Sequence, residues 1–187
     1  MSLSTQFLGA VIGFLYGTFF EWVLHKHIMH TPKRLSYAYT AHDQVHHKVF
    51  GYKKTYHLQR KEDQHLVTFA KWNYPVLLLL NLPVMFGIQW LIGLPIIWGM
   101  IISMTFYYMA YEYFHFCYHV PKNRWFEKLA IYQRVKEHHL LHHKYKLQNL
   151  NVVFPVADFV LGTIITRENP RDNDVLDPAH RKSSEVL

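Results

Sequence analysis

Four groups of histidine carry the chemistry that this sequence offers. In chain order they are Glu21-Trp-Val-Leu-His25-Lys-His27-Ile-Met-His30, His42-Asp-Gln-Val-His46-His47, Glu112-Tyr-Phe-His115-Phe-Cys-Tyr-His119 and His138-His139-Leu-Leu-His142-His143. The chain has 15 histidines in 187 residues, and neutral imidazole is the commonest protein ligand for transition metals. His42 with His46, and His115 with His119, are i,i+4 pairs that share a helix face. His139 pairs with His142 at i,i+3 and with His143 at i,i+4, while His47 sits a step round from His46 and can turn to a second ion. Glu21 lies four residues before His25, where a carboxylate can take the second ring N–H of a ligand and fix its tautomer, and Glu112 lies three before His115. His25 and His30 are five apart, about 140° round a regular helix. Both can bind one ion only if the helix bends or ends there, and simple geometry favours His27 with His30. The histidines are too many for one ion and suit two. Imidazole alone does not choose between Zn, Cu, Fe and Ni. A redox metal with O2 can attack an unreactive C–H bond, whereas zinc and its bound water can hydrolyse a lipid ester. His57, His65 and His180 stand alone and are read as ordinary histidines.

Apolar runs must position these groups. Half of the residues are hydrophobic, 17% are aromatic and 18% charged, which excludes a disordered or low-complexity chain. The single cysteine, Cys117, excludes an internal disulfide and a cysteine-based zinc finger. No charged residue occurs from Met1 to Phe20 or from Trp72 to Tyr111. Roughly 20 helical residues cross a ~30 Å hydrocarbon core. The first run predicts one span over Gln6–Leu24. The second predicts a hairpin of Trp72–Gly87 and Trp90–Ala110, broken near Gly87–Gln89. A signal peptide is disfavoured, because no basic residues open the chain and no small-x-small cleavage site follows. Nine of the 20 Lys and Arg lie between Lys26 and Lys71 and eleven between Lys122 and Lys182. Three spans put both blocks on one side, which the positive-inside rule makes cytoplasmic. The net charge of +7 then favours anionic lipid headgroups. No nucleic-acid recognition motif accompanies it.

These residues resemble the fatty acid hydroxylase / sterol desaturase superfamily of integral-membrane, histidine-rich di-iron oxygenases, from about Glu21 to Thr163. An acidic residue followed by His25-x4-His30 looks like the first box, and supports His25 over His27. His42-x3-His46-His47 resembles the second box. Tyr111-Glu112-x-x-His115-Phe-x-x-His119 is similar to the third and His139-x-x-His142-His143 to the fourth. Asn149-Leu-Asn-Val-Val-Phe-Pro155-Val-Ala-Asp158-Phe-Val-Leu-Gly162-Thr163 looks like the closing segment. Each box alone is weak; five in order are strong.

The resemblance implies an all-α integral membrane helical protein. It would have about three to four transmembrane helices and a cytoplasmic helical cap carrying a histidine-rich dimetal site. Residues 1–165 would form one hydroxylase-like domain and 166–187 a polar tail. Ten metal ligands are implied: His25, His30, His42, His46, His47, His115, His119, His139, His142 and His143. Glu21, Glu112 and Asp158 would be carboxylates behind them, Tyr111 would line the site, and His138 would be a neighbour only. The implied cofactors are two iron ions, with zinc a substitute in purified protein and O2 a co-substrate. The implied reaction is hydroxylation of an unactivated C–H of a membrane lipid, most simply a fatty acyl chain. Desaturation, or a carotenoid or sterol substrate, would use the same site. No flavin, NAD or haem segment is visible, so electrons would come from a ferredoxin or cytochrome b5-type donor and its reductase. Its second box has one more internal residue than that of the best-known fatty acid and ceramide 2-hydroxylases, so the resemblance carries reaction type further than substrate. Rival readings are a zinc-dependent membrane lipid hydrolase and a metal carrier. The carrier is disfavoured because the middles of the spans hold no His, Asp or Glu.

Overall fold

The structure, a computed structural model, describes residues 2–169. Positions 170–187, with His180 and most of the expected tail, lie outside the described residues. The described chain is all-α. Helix α1 (Leu3–Leu24) starts at Ser2, whose hydroxyl caps the Thr5 N–H, and runs into a π-helical turn, His25–Met29. Helix α2 (Ser36–Tyr39) opens a second π-helical turn, Thr40–His46, which passes into the short α3 (His47–Val49). Two 3-10 turns, Lys53–Thr55 and Lys61–Leu66, lead to α4 (Asn73–Ile92). Helix α5 (Ile97–His119), a 3-10 turn at Trp125–Lys128, α6 (Ala130–Lys144) and the short α7 (Val156–Val160) complete it.

The hairpin break is displaced from where the sequence puts it. Helix α4 runs through Gly87 and Gln89, and stops at Gly93, whose φ of 71° is left-handed. A glycine inside a helix costs only about 1 kcal/mol relative to alanine, and Pro83 is likewise accommodated. A left-handed C-terminal residue with proline just beyond does end a helix, and Gly93-Leu-Pro95 supplies both. Helix α5 therefore starts at Ile97 rather than Trp90, and runs nine residues past Ala110 to carry His115 and His119.

Two helical stretches, Leu3–Met29 and Asn73–Ile92, are long and apolar enough to cross a membrane. The sequence reading expects three spans. Helix α5 falls short of that apolarity because Tyr107, Tyr108, Tyr111, Tyr113, Glu112 and His115 dilute its second half. Leu79, Leu80, Trp90 and Leu91 on α4, and Leu3 and Phe7 on α1, present large apolar side chains outwards. Such contiguous exposure points to association with a membrane.

Helices α1 and α5 make the most extensive contact in the fold. A Cβ on Gly99 of α5 would lie 2.0 Å from the Gln6 carbonyl oxygen of α1, and the Gln6 side-chain oxygen accepts the Gly99 N–H at 2.8 Å. Small residues at such crossings let helix backbones approach in lipid. The contact sets the height of His25 against that of His115 and His119. Gly99→Ala must move backbone rather than a flexible side chain. It is expected to cost about 1–3 kcal/mol, read as a lower thermal unfolding midpoint in detergent.

Candidate metal centre

The ten expected ligands fall into two groups of five. His25, His30, His42, His47 and His142 form one, and His46, His115, His119, His139 and His143 the other; within each, the ligand atoms lie within 4.8 Å of one another. The spacing rules sort them differently. His42 and His46, the i,i+4 pair, stack with ring centroids 5.2 Å apart yet belong to different groups. His42 joins His47 instead, with Nε2 atoms 3.1 Å apart. His139 and His142, the i,i+3 pair, are also divided.

The two π-helical turns explain the sorting. The His30 N–H donates to the His25 carbonyl at 3.1 Å, and the His47 N–H to the His42 carbonyl, both i→i+5. An i→i+5 bond closes a wider turn than the α-helix. It returns the fifth residue to the starting face, which a regular helix cannot do. His25 and His30 consequently stack at 5.1 Å between ring centroids. The conflict between His27 and His25 is resolved in geometry: His27 packs edge-on against Trp22, outside both groups.

The unused nitrogens decide what the groups can hold. The Nδ1 of His25 lies 2.5 Å from the Leu150 carbonyl, that of His142 2.9 Å from Gln148, that of His46 3.1 Å from Leu66 and that of His119 2.7 Å from Tyr56. His143 meets the Phe50 carbonyl and His115 that of Val67 in the same way. Carbonyl oxygens only accept, so each Nδ1 carries the proton and each Nε2 keeps a bare lone pair. His30 is set likewise by the Asp43 carboxylate, 2.8 Å from its Nδ1. The Nε2 atoms of His30 and His142 then face each other at 3.2 Å with no proton between them. The Nε2 atoms of His46 and His115 are buried without a hydrogen-bond partner. Converging buried lone pairs repel unless a cation lies among them, so the donor set fits a metal ion in each group. Burial and the neighbouring rings hold His42, His47, His139, His142 and His143 well below the usual histidine range, and burial pushes His46 down to about 4. Neutral imidazole is the ligating form.

The carboxylates take different roles from those expected. Glu21 makes no hydrogen bond to a histidine ring among the described residues; it accepts from Tyr107, from Asn151 Nδ2 at 3.0 Å and from the Val152 N–H at 2.7 Å. The Leu150 carbonyl has claimed His25. Glu112 accepts from the Phe69 N–H at 3.1 Å and from Tyr108 instead of reaching His115, whose N–H goes to Val67. Asp158 is fully buried and accepts from the Leu150 and Asn151 N–H groups, Thr163 Oγ1 and His138 Nε2. It thereby fixes the strip whose Leu150 carbonyl orients His25. His138 bonds Asp158 and lies outside both groups. Tyr111 stacks between Phe69 and His115, and its buried hydroxyl has no partner among the described residues.

The carboxylate that does hold a ring of the site is Asp43, which the sequence reading passed over. Burial opposes its charge, but His30 and Lys146 keep its carboxyl below the usual range. The Lys146 ammonium lies 3.0 Å from the oxygen that meets His30. The available signal was its place inside the second histidine group, directly after His42.

An apolar cavity between α1, α4 and α5 leads to this centre. Phe20, Leu24, Leu77, Leu78 and Met104 line its walls, and His25 lies on its lining beside Glu21, Met29 and Tyr111. Asn81, on its lining, accepts from the Tyr16 hydroxyl. On α1 its lining runs from Gly17 to Met29, past His25.

Comparison with curated proteins and with solved structures gives no match. The sequence profile described as fatty acid hydroxylase matches residues 10–163, which includes all ten clustered histidines and Asp158, and the chain belongs to the fatty acid hydroxylase family.

Proposed function

We propose that this chain is a membrane-embedded di-iron oxygenase that hydroxylates an unactivated C–H bond of a lipid, with a fatty acyl chain as the substrate the cavity suits best. One observation carries the reading: a cavity with almost wholly apolar walls ends on a histidine of a two-metal donor set. Family membership implies a di-iron oxidoreductase, and two irons bound there would supply the redox chemistry for activating O2, with two electrons from a ferredoxin or cytochrome b5-type donor and its reductase.

The protein's own part is positioning and exclusion of water. His25, His30, His42, His47 and His142 would hold one ion, and His46, His115, His119, His139 and His143 the other. Nδ1–H bonds to backbone carbonyls fix six of these rings, and Asp43 fixes His30, before metal arrives, so little reorganisation is left for them on binding. The cavity walls desolvate an acyl segment and bring its methylenes to His25. Its entry is between α1 and α4, which meet far less than α1 and α5 do. A lipid could then pass sideways from the bilayer without crossing water. In this reading α1, α4 and α5 span the membrane, and the positive-inside rule applied to the Lys and Arg blocks argues for a cytoplasmic metal centre.

The test uses protein purified in mild detergent from iron-supplied cells. Near two irons per chain, with a Mössbauer spectrum that changes on dithionite and again on O2, is the expected result. Lipid profiling of producing cells then finds the hydroxylated product. Two zincs that iron cannot replace, with no O2 consumption on any reductant, would overturn the reading and favour a zinc-dependent lipid hydrolase. Leu78→Trp fills the cavity away from the ligands. It is expected to keep full metal content while product formation falls several-fold, measured by mass spectrometry.

A further inference from the structure

A second hollow lies away from the metal centre, where the chain leaves α5 and enters α6. Its lining includes Lys122, Asn123, Lys128, Tyr132, Gln133 and Lys136. The loop that forms it is tied rather than loose. The Glu127 carboxylate accepts the N–H groups of Lys122 at 3.2 Å and Arg124 at 3.1 Å, and pairs with the Arg124 guanidinium. The Gln133 side chain donates to the Glu127 carbonyl, and Asn123 takes a left-handed φ of 60° to turn the chain. Arg124 thus balances the one acid of the hollow. Lys122, Lys128 and Lys136 make no ion pair among the described residues. Tyr132 floors the hollow and is buried, with its hydroxyl closed off from solvent and without a hydrogen-bond partner among the described residues.

Three lysines without an ion pair, lining one hollow, make an electrostatic match for an oxyanion, because charge-assisted hydrogen bonds to phosphate are the strong ones. Trp125, Leu129 and Ile131, from the same loop and the first turn of α6, are all exposed. An exposed tryptophan beside lysines is the composition of a membrane interface. We infer that this hollow binds the phosphate of an anionic lipid headgroup through Lys122, Lys128 and Lys136, with Trp125, Leu129 and Ile131 resting in the interfacial layer. A free phosphate offers the same oxyanion, but gives the apolar rim nothing to contact. The site stands apart from the metal centre and does not depend on which reaction that centre performs.

The test uses the full chain, delipidated and reconstituted in nanodiscs of phosphatidylcholine with or without phosphatidylglycerol. Phosphatidylglycerol is expected to raise the thermal unfolding midpoint and to be retained in native mass spectrometry. The triple variant Lys122→Gln, Lys128→Gln, Lys136→Gln is expected to lose about tenfold or more in that affinity. Trp125→Ala keeps the three lysines and is expected to weaken binding several-fold. Unchanged metal content in both variants reports that they are folded. Phosphatidylglycerol binding that ignores the triple substitution would overturn the site. A Trp125→Ala variant that binds like the parent would reduce it to diffuse surface charge, which also overturns it. Inorganic phosphate that stabilises the detergent-solubilised chain as strongly, with the same dependence on the three lysines, would overturn the lipid assignment in favour of a soluble phosphate ligand.

Discussion

His142→Ala is expected to lose about one of two metal equivalents and all lipid oxidation, and to leave the ion held by His46, His115, His119, His139 and His143 in place. His139→Ala is expected to do the converse. The two residues lie one turn apart on α6, so a helix-face argument has both leaving the same ion. The structure assigns them to different groups, with His142 Nε2 3.1 Å from His47 Nε2 and His139 Nε2 3.1 Å from His143 Nε2. Metal content by plasma mass spectrometry, with Mössbauer spectra of each variant, separates the outcomes. The spectrum of the remaining ion should differ between the variants, because one set keeps the ring oriented by Asp43 and the other does not. Identical residual spectra, or loss of both ions from each variant, would mean that the ten rings act as one undivided site.

Asp43→Ala is expected to weaken metal binding in the His30 group by about 10–100-fold while leaving the other group loaded, the usual range for removing the acceptor behind a ligating histidine. Without the carboxylate, His30 loses the 2.8 Å bond that keeps the proton on Nδ1, and the Nε2 lone pair is no longer guaranteed to face the ion. Glu21→Gln is the contrast. Glu21 binds Tyr107, Asn151 and Val152 but no ring, so its loss should lower thermal stability with much less effect on metal affinity. Competition with a chromogenic chelator measures both. Equal affinity losses for the two variants would remove the special role of Asp43. Lys146→Gln frees Asp43 of its cation and is expected to have a smaller effect than Asp43→Ala, since the bond to His30 survives.

The ligand types were legible because chemistry demands them: few residue types bind a transition metal, and repeated histidines at one-turn intervals have no common structural cause. The apolar runs were legible because a helix must carry about 20 apolar residues to cross hydrocarbon. Their ends were less so. Gly87 and Gly93 are both glycine in the sequence, and only the left-handed backbone at Gly93 marks the stop. Periodicity also misassigned partners. A 3.6-residue turn pairs His42 with His46, and nothing local announces the π-helical turns that pair His42 with His47 and His25 with His30.

By itself, then, the sequence determined an all-helical, membrane-associated chain of the fatty acid hydroxylase family with enough histidine for two ions. Composition, apolar run length and ordered motifs are local properties, and each is read within a few tens of residues. Tertiary structure alone decided which five rings share an ion, which carboxylate orients one of them and where the cavity meets them. Those depend on backbone carbonyls from far along the chain, Leu150 for His25 and Tyr56 for His119. Every residue carries a carbonyl, so no residue type signals which one will be used. That choice is made only when α1 packs on α5 and the loops close over the rings.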